Sequence, residues 1–203
     1  MMNRNFFLRL LLITTGFASG FVAQTKLMTQ TTSHPTQQLN MWDNNEEVEG
    51  AERIKSCFPY LLPLLDGDHF GQFIYSRIPP LGAMDYIILR PLENIYESIP
   101  FASLILFFAL TLGTRGNTSL SRAFRFNAQQ ACLIDIMLVF PEVIGGSMAG
   151  VAVPRYLMES SSNFVYYTYM AMVLYSIASN LSGQKPNQIP VISQAAEMAV
   201  GPF

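Results

Sequence analysis

Acidic side chains inside apolar runs are the first candidates for chemistry in this chain. Asp135 and Glu142 interrupt the stretch Phe126–Gly150, which is otherwise hydrophobic. A carboxylate at the centre of a membrane helix costs ~3 kcal/mol at the low end unless protein or water faces it. At 100° per residue, Asn127, Ala131, Asp135, Leu138 and Glu142 share a stripe about 80° wide, with Gln130 beside it. That stripe is expected to turn away from lipid and offer a hydrated or protein-packed surface, with Leu133 on the lipid side. Its alternative role is plain helix packing through an internal bond or ion pair. Asp66, Asp68 and His69 form a second polar group. Three ligand types within four residues, with no other His in the mature region, are too few for a metal centre, so a structural role is expected. Arg115, Arg122 and Arg125 form a basic loop without an acid. Anchoring at a head-group surface is expected there, and contact with substrate or acidic lipid is the sharper alternative. No nucleophile stands with a base at motif spacing and no glycine loop could cradle phosphate, so no catalytic or cofactor-binding residue is expected.

The elements that must position these groups follow from composition. Of 203 residues, half are hydrophobic and 13% are charged, against about 25% in soluble domains, so lipid is expected to cover much of the surface. A net charge of -2 gives no basis for a nucleic-acid partner. Cys57 and Cys132 are isolated in apolar stretches and are expected to be buried small hydrophobes, neither disulfide nor zinc ligands. The predicted fold is all-α, a polytopic membrane protein with a bundle of four transmembrane helices behind an N-terminal targeting leader. Predicted spans run about 56–75, 98–114, 126–150 and 163–181 within a membrane domain 51–203. The first is ambiguous, because Pro59, Pro63, Gly67 and the polar group interrupt it; the competitor 74–92 spreads Arg77, Asp85 and Arg90 along its length. Residues 77–97 then form an amphipathic surface connector that Pro79, Pro80 and Pro91 should break. Tyr166, Tyr167 and Tyr169 are expected at the membrane–water interface. Gly146 and Gly150 would allow close helix contact.

Orientation follows from loop charge. Arg115, Arg122 and Arg125 mark one side by the positive-inside rule, and parity puts both ends of the mature chain there. Arg53, Lys55 and Lys185 agree, giving that side six basic residues against Arg77, Arg90 and Arg155 on the other.

The leader divides in two. Arg4 and Arg9 frame the apolar run Leu10–Phe17, followed by Ala18, Ser19 and Gly20, which reads as a signal peptide over 1–20. Residues 21–50 are rich in Thr, Gln and Ser and acid-poor until Asp43, a transit-peptide composition that cannot fold alone. A plain secretory signal with a disordered tail is the simpler alternative. The junction Ala18-Ser19-Gly20-Phe21 resembles leaders of algae with complex plastids of red-algal origin.

One stretch carries a family resemblance. Ser121-Arg122-Ala123-Phe124-Arg125-Phe126-Asn127-Ala128-Gln129-Gln130-Ala131 packs two arginines, two phenylalanines and three amides at a helix entrance. It resembles the signature of the twenty-kilodalton subunit family of the translocon at the inner envelope membrane of chloroplasts, the Tic complex. Tyr60 to Gly67, Ser98-Ile99-Pro100-Phe101 leading to Leu112-Gly113, Leu133 through Pro141, and Ile189 to Glu197 resemble the same family in the same order. Arg115-Gly116-Asn117 departs from it by an inserted glycine. The resemblance implies a non-enzymatic four-helix subunit of the plastid inner envelope that takes part in preprotein import. It implies other translocon subunits, preproteins in transit, membrane lipid and further copies of the chain as partners, and both ends in the stroma. A small-molecule or ion carrier using Asp135 and Glu142, and a structural subunit of a photosynthetic complex, are the rivals that composition alone leaves open.

Overall fold

The computed structural model describes residues 50–115, 117, 119–148, 150 and 152–201. The leader segments 1–20 and 21–49 lie outside them. No strand occurs among the described residues. The helices are α1 (Gly50–Lys55), α2 (Leu61–Gly67), α3 (Gln72–Arg77), α4 (Pro79–Ser98), α5 (Ala102–Thr114), α6 (Arg122–Ser147), α7 (Arg155–Leu181) and α8 (Ile192–Val200), with 3-10 turns at Phe58–Tyr60 and Asp68–Gly71.

Helix α6 is the centre. Ser121 caps its first turn by accepting the Phe124 N–H at 3.2 Å, and its hydroxyl donates to Glu52 at 2.6 Å. Every residue from Arg125 to Cys132 is buried, because α2, α5, α7 and α8 all pack on this stretch. Leu133 is therefore half-buried between two apolar clusters, not turned to lipid.

The expected first span, 56–75, is broken into two 3-10 turns alternating with the short helices α2 and α3, and α1 precedes it. Pro59 sits at the start of the first turn, where its missing N–H costs nothing. Gly67 and Gly71 have a packing reason. A Cβ on Gly67 would stand 2.8 Å from the Tyr169 ring, and one on Gly71 would stand 2.6 Å from Tyr166. Those two tyrosines consequently lie in the core, and Tyr167 alone of the three is exposed. The interfacial expectation for Tyr166 and Tyr169 fails because glycines open slots for their rings.

The connector behaves otherwise than expected. Pro79 and Pro80 occupy the first turn of α4, where proline is tolerated, and Pro91 sits inside the helix without ending it. Helix α4 then bends by 94° into α5, with Phe101 in the left-handed region at φ 62°. By itself α5 has 13 residues, about 20 Å, short of the ~30 Å hydrocarbon core. Among the described residues, α6 alone is long and apolar enough to cross a membrane unaided, and α4 with α5 passes only as a bent pair. Helix α7 is long at 27 residues but opens on Arg155, Glu159 and three serines. Gly146 has open space where a Cβ would be, and Gly150 lies past the end of α6, so the glycine pair makes no close contact.

Candidate functional site

Two buried polar regions lie at different places on the bundle. The first surrounds the N-terminal half of α6. Asn127 is its hub: its side-chain oxygen accepts the Tyr60 hydroxyl at 2.7 Å and the Asn180 amide at 2.8 Å, while its own amide donates to Asn180 at 3.1 Å and to the Ala123 carbonyl at 2.8 Å. Asn180 also reaches the Ser56 carbonyl at 3.3 Å, so one amide pair ties α7 and the entry to the first segment onto α6. Gln129 donates to Thr114 at 3.0 Å and to the Thr111 carbonyl at 3.1 Å at the end of α5. Gln130, fully buried, donates to Ser176 at 3.1 Å. Amides suit this place because each offers donor and acceptor and needs no counter-charge.

The arginines around this region correct the sequence expectation. Arg115 is exposed, as a surface anchor requires, but Arg125 is 3% exposed and donates to the Val200 carbonyl at 2.9 Å. Arg122, half-buried, reaches the Gly201 carbonyl at 3.4 Å. A helix C-terminus carries unbonded carbonyls and partial negative charge, and the two guanidinium groups take up those of α8. Lys185 completes the joint, lying 4.4 Å over the Phe126 ring and 3.2 Å from Glu197. Burial holds the Lys185 ammonium below its usual pKa, and Glu197 partly offsets this. Upstream of α8, Val191 holds a left-handed φ of 65°, a conformation costly for a β-branched residue. Ser193 steadies that turn by accepting the Ile189 N–H and donating to the Pro186 carbonyl, both at 3.1 Å.

The lower half of the stripe differs. Asp135 is buried and Glu142 half-buried, and Glu142 lies 3.9 Å from His69. The structure thus brings the end of the stripe to one member of the Asp66–Asp68–His69 group. The other two diverge. Asp66 accepts the hydroxyls of Ser103 at 2.6 Å and Tyr96 at 3.0 Å, tying α2 to both arms of the bent pair. Asp68, 6% exposed, accepts the Tyr75 hydroxyl at 2.6 Å.

Asp68 belongs to the second polar region, which the sequence analysis did not find. Asp85 and Glu93 of α4 are both buried, and both carboxyls lie within hydrogen-bonding reach of Asp68. Burial and the Asp68 charge push Asp85 up to about 6 and Glu93 up to about 7. A signal was present: eight residues apart, the two acids fall about 80° from one another on a helix. By sequence Asp85 reads only as a charge that spoils the candidate span 74–92, and Glu93 lies just beyond that span. Cys132 is buried and Cys57 half-buried, both as free thiols.

Comparison with known proteins places these features in a family. The family described as "Chloroplast import apparatus Tic20-like" matches residues 22–196. Protein TIC 20-II, chloroplastic, of Arabidopsis thaliana is 34% identical over 150 residues, covering 72% of this chain and 71% of its own. The Tic20 family protein of Synechocystis sp. is 32% identical over 154 residues, covering 75% and 95%. The Tic20 family protein Ycf60 of the alga Gracilaria tenuistipitata var. liui is 30% identical over 176 residues, covering 82% and 83%. No solved structure matches. The match takes in the amide hub and the acid cluster, and the chain belongs to the Tic20 family.

Proposed function

We propose that this protein is a membrane subunit of the preprotein import machinery of the plastid inner envelope, acting without covalent catalysis. Family membership across residues 22–196 carries the proposal, and the chloroplastic and algal relatives support the plastid. Four membrane passages are part of it. The outward faces of α4 to α7 display large apolar side chains, among them Ile87, Leu112, Phe140 and Phe164, each at least 65% exposed, which suits hydrocarbon and no aqueous surface. Helix α6 crosses unaided. Helix α7, the broken α1–α3 segment and α5 provide the other passages, and α4 lies near the surface.

The mechanism is one of scaffolding. Asn127 and Gln130 spend their donors on Asn180, Ala123 and Ser176 within the same chain, so the upper stripe fastens helices together. One bundle of this size has no wide interior, and the path for an extended preprotein is formed by its outer faces together with other translocon subunits or further copies. Photoreactive side chains at Asn127 and Gln130, and at exposed Leu112, Phe140 and Leu174, test this with a radiolabelled preprotein arrested during import into isolated plastids. Adducts to preprotein or translocon subunits are expected from the exposed positions only. Preprotein adducts at Asn127 would show that the bundle opens around its substrate, and an absence of adducts to either class would remove the import role.

A further inference from the structure

Helix α4 is built the wrong way round for a helix on a soluble protein. Its two buried residues are Asp85 and Glu93, while Met84, Tyr86, Ile87, Ile88 and Ile95 are more than half exposed. The inward acids meet Asp68 on the Asp68–Gly71 turn, itself buried and bonded to Tyr75. Three buried carboxyls therefore share one site. Arg90 is the cation that faces them, 3.5 Å from Glu93 with its side chain 56% exposed. Neighbouring charges are engaged elsewhere: Arg77 pairs with Glu159, His69 faces Glu142, and Asp66 is turned to Tyr96 and Ser103. Tyr75, Tyr166 and Tyr169 complete the wall.

Two orphan atoms point to what is missing. Among the described residues, Asp85 Oδ1 and the hydroxyl of Tyr169, which is 1% exposed, have no hydrogen-bond partner. The Tyr169 ring abuts Gly67, one residue before Asp68, which puts that hydroxyl beside the acids. An ionised carboxylate buried without a partner costs several kcal/mol. A proton removes that charge and turns the same oxygen into a donor, so that carboxyls can bond to one another and to a phenol oxygen.

We propose that α4 is a clasp, held against the bundle by protons that Asp85 and Glu93 present to Asp68 and released when Asp85 and Glu93 ionise. Its backbone has a pivot at each end, the non-helical Ile78 and the left-handed Phe101. Closed, the helix approaches so tightly that a Cβ on Gly82 would stand 3.0 Å from the Tyr75 carbonyl oxygen. Ionised, the cluster sets like charges face to face, α4 swings out, and the wall of Tyr75, Tyr166 and Tyr169 is uncovered. The raised affinities of Asp85 and Glu93 for protons agree with this order of events. The proposal goes beyond the import role and would stand in a protein with another task.

The test uses the full chain in liposomes with spin labels at Ile87→Cys and Leu174→Cys, and with Cys57→Ser and Cys132→Ala. One short, narrow distance is expected at about pH 5, and at about pH 8 its population should fall at least about tenfold in favour of longer, broader distances. The pair Asp85→Asn and Glu93→Gln should keep the short distance at both values, because amides bond without charge. A distance in the parent protein that ignores pH would overturn the clasp. So would an unchanged pH response in the amide pair, or closure at about pH 8 on adding potassium or calcium, which would make the site one for cations.

Discussion

The two buried polar regions hold their polar groups by opposite means. Around Asn127 the groups are neutral amides and hydroxyls, and the hub's oxygen and amide each make two bonds. Around Asp68 they are acids that share few donors, with one partly exposed arginine to balance them. Amides stabilise a helix junction at every pH, whereas clustered carboxyls do so only with protons between them. The first region is a fixed joint. The second is a contact whose strength depends on conditions.

The largest effect is expected from Asn127→Leu, which strands the Tyr60 hydroxyl and the Asn180 amide inside the bundle. Stability in detergent should fall by about 2–4 kcal/mol, read as a lowered Tm, and Asn180→Ala added to it should cost little more because the pair acts as one. Arg125→Met keeps the stem and removes the cap on α8. A loss of about 2 kcal/mol is expected, with faster amide exchange confined at first to residues 192–200. The acid region should respond to pH where the joint does not. Asp85 and Glu93 rise from 3.8 and 4.5 to about 6 and about 7 on folding. The folded state then holds protons more tightly, so their contribution is fully present below about pH 4 and is lost as pH rises through about 7. Tm should therefore decline across that window, and in the Asp85→Asn, Glu93→Gln protein the decline should flatten; an equal decline in both would place the titration elsewhere. The smallest effect belongs to Gln130→Leu. Gln130 Oε1 has no partner among the described residues, and Ser176 keeps its bond to the Met172 carbonyl, so a change within about 1 kcal/mol is expected. A loss as large as that of Asn127→Leu would mean that the joint has two hubs.

Much of this was legible in the order of residues. The helical class followed from apolar periodicity, and the inward turn of Asn127, Asp135 and Leu138 followed from spacing on one helix, because both are local properties that 100° per residue fixes. The motif at Ser121–Ala131 identified the family for the same reason, as a contiguous run. Only the tertiary structure decided what depends on approach between distant segments. Arg125 reads as a surface anchor until the C-terminus of α8 arrives beside it. Tyr166 and Tyr169 read as interfacial until Gly67 and Gly71 open slots for their rings. Asp85 reads as a flaw in a membrane span until Asp68, on another element, joins it and Glu93 in a cluster. A side chain's type states what it needs, and the fold alone supplies or withholds the partner, because that partner sits tens of residues away along the chain.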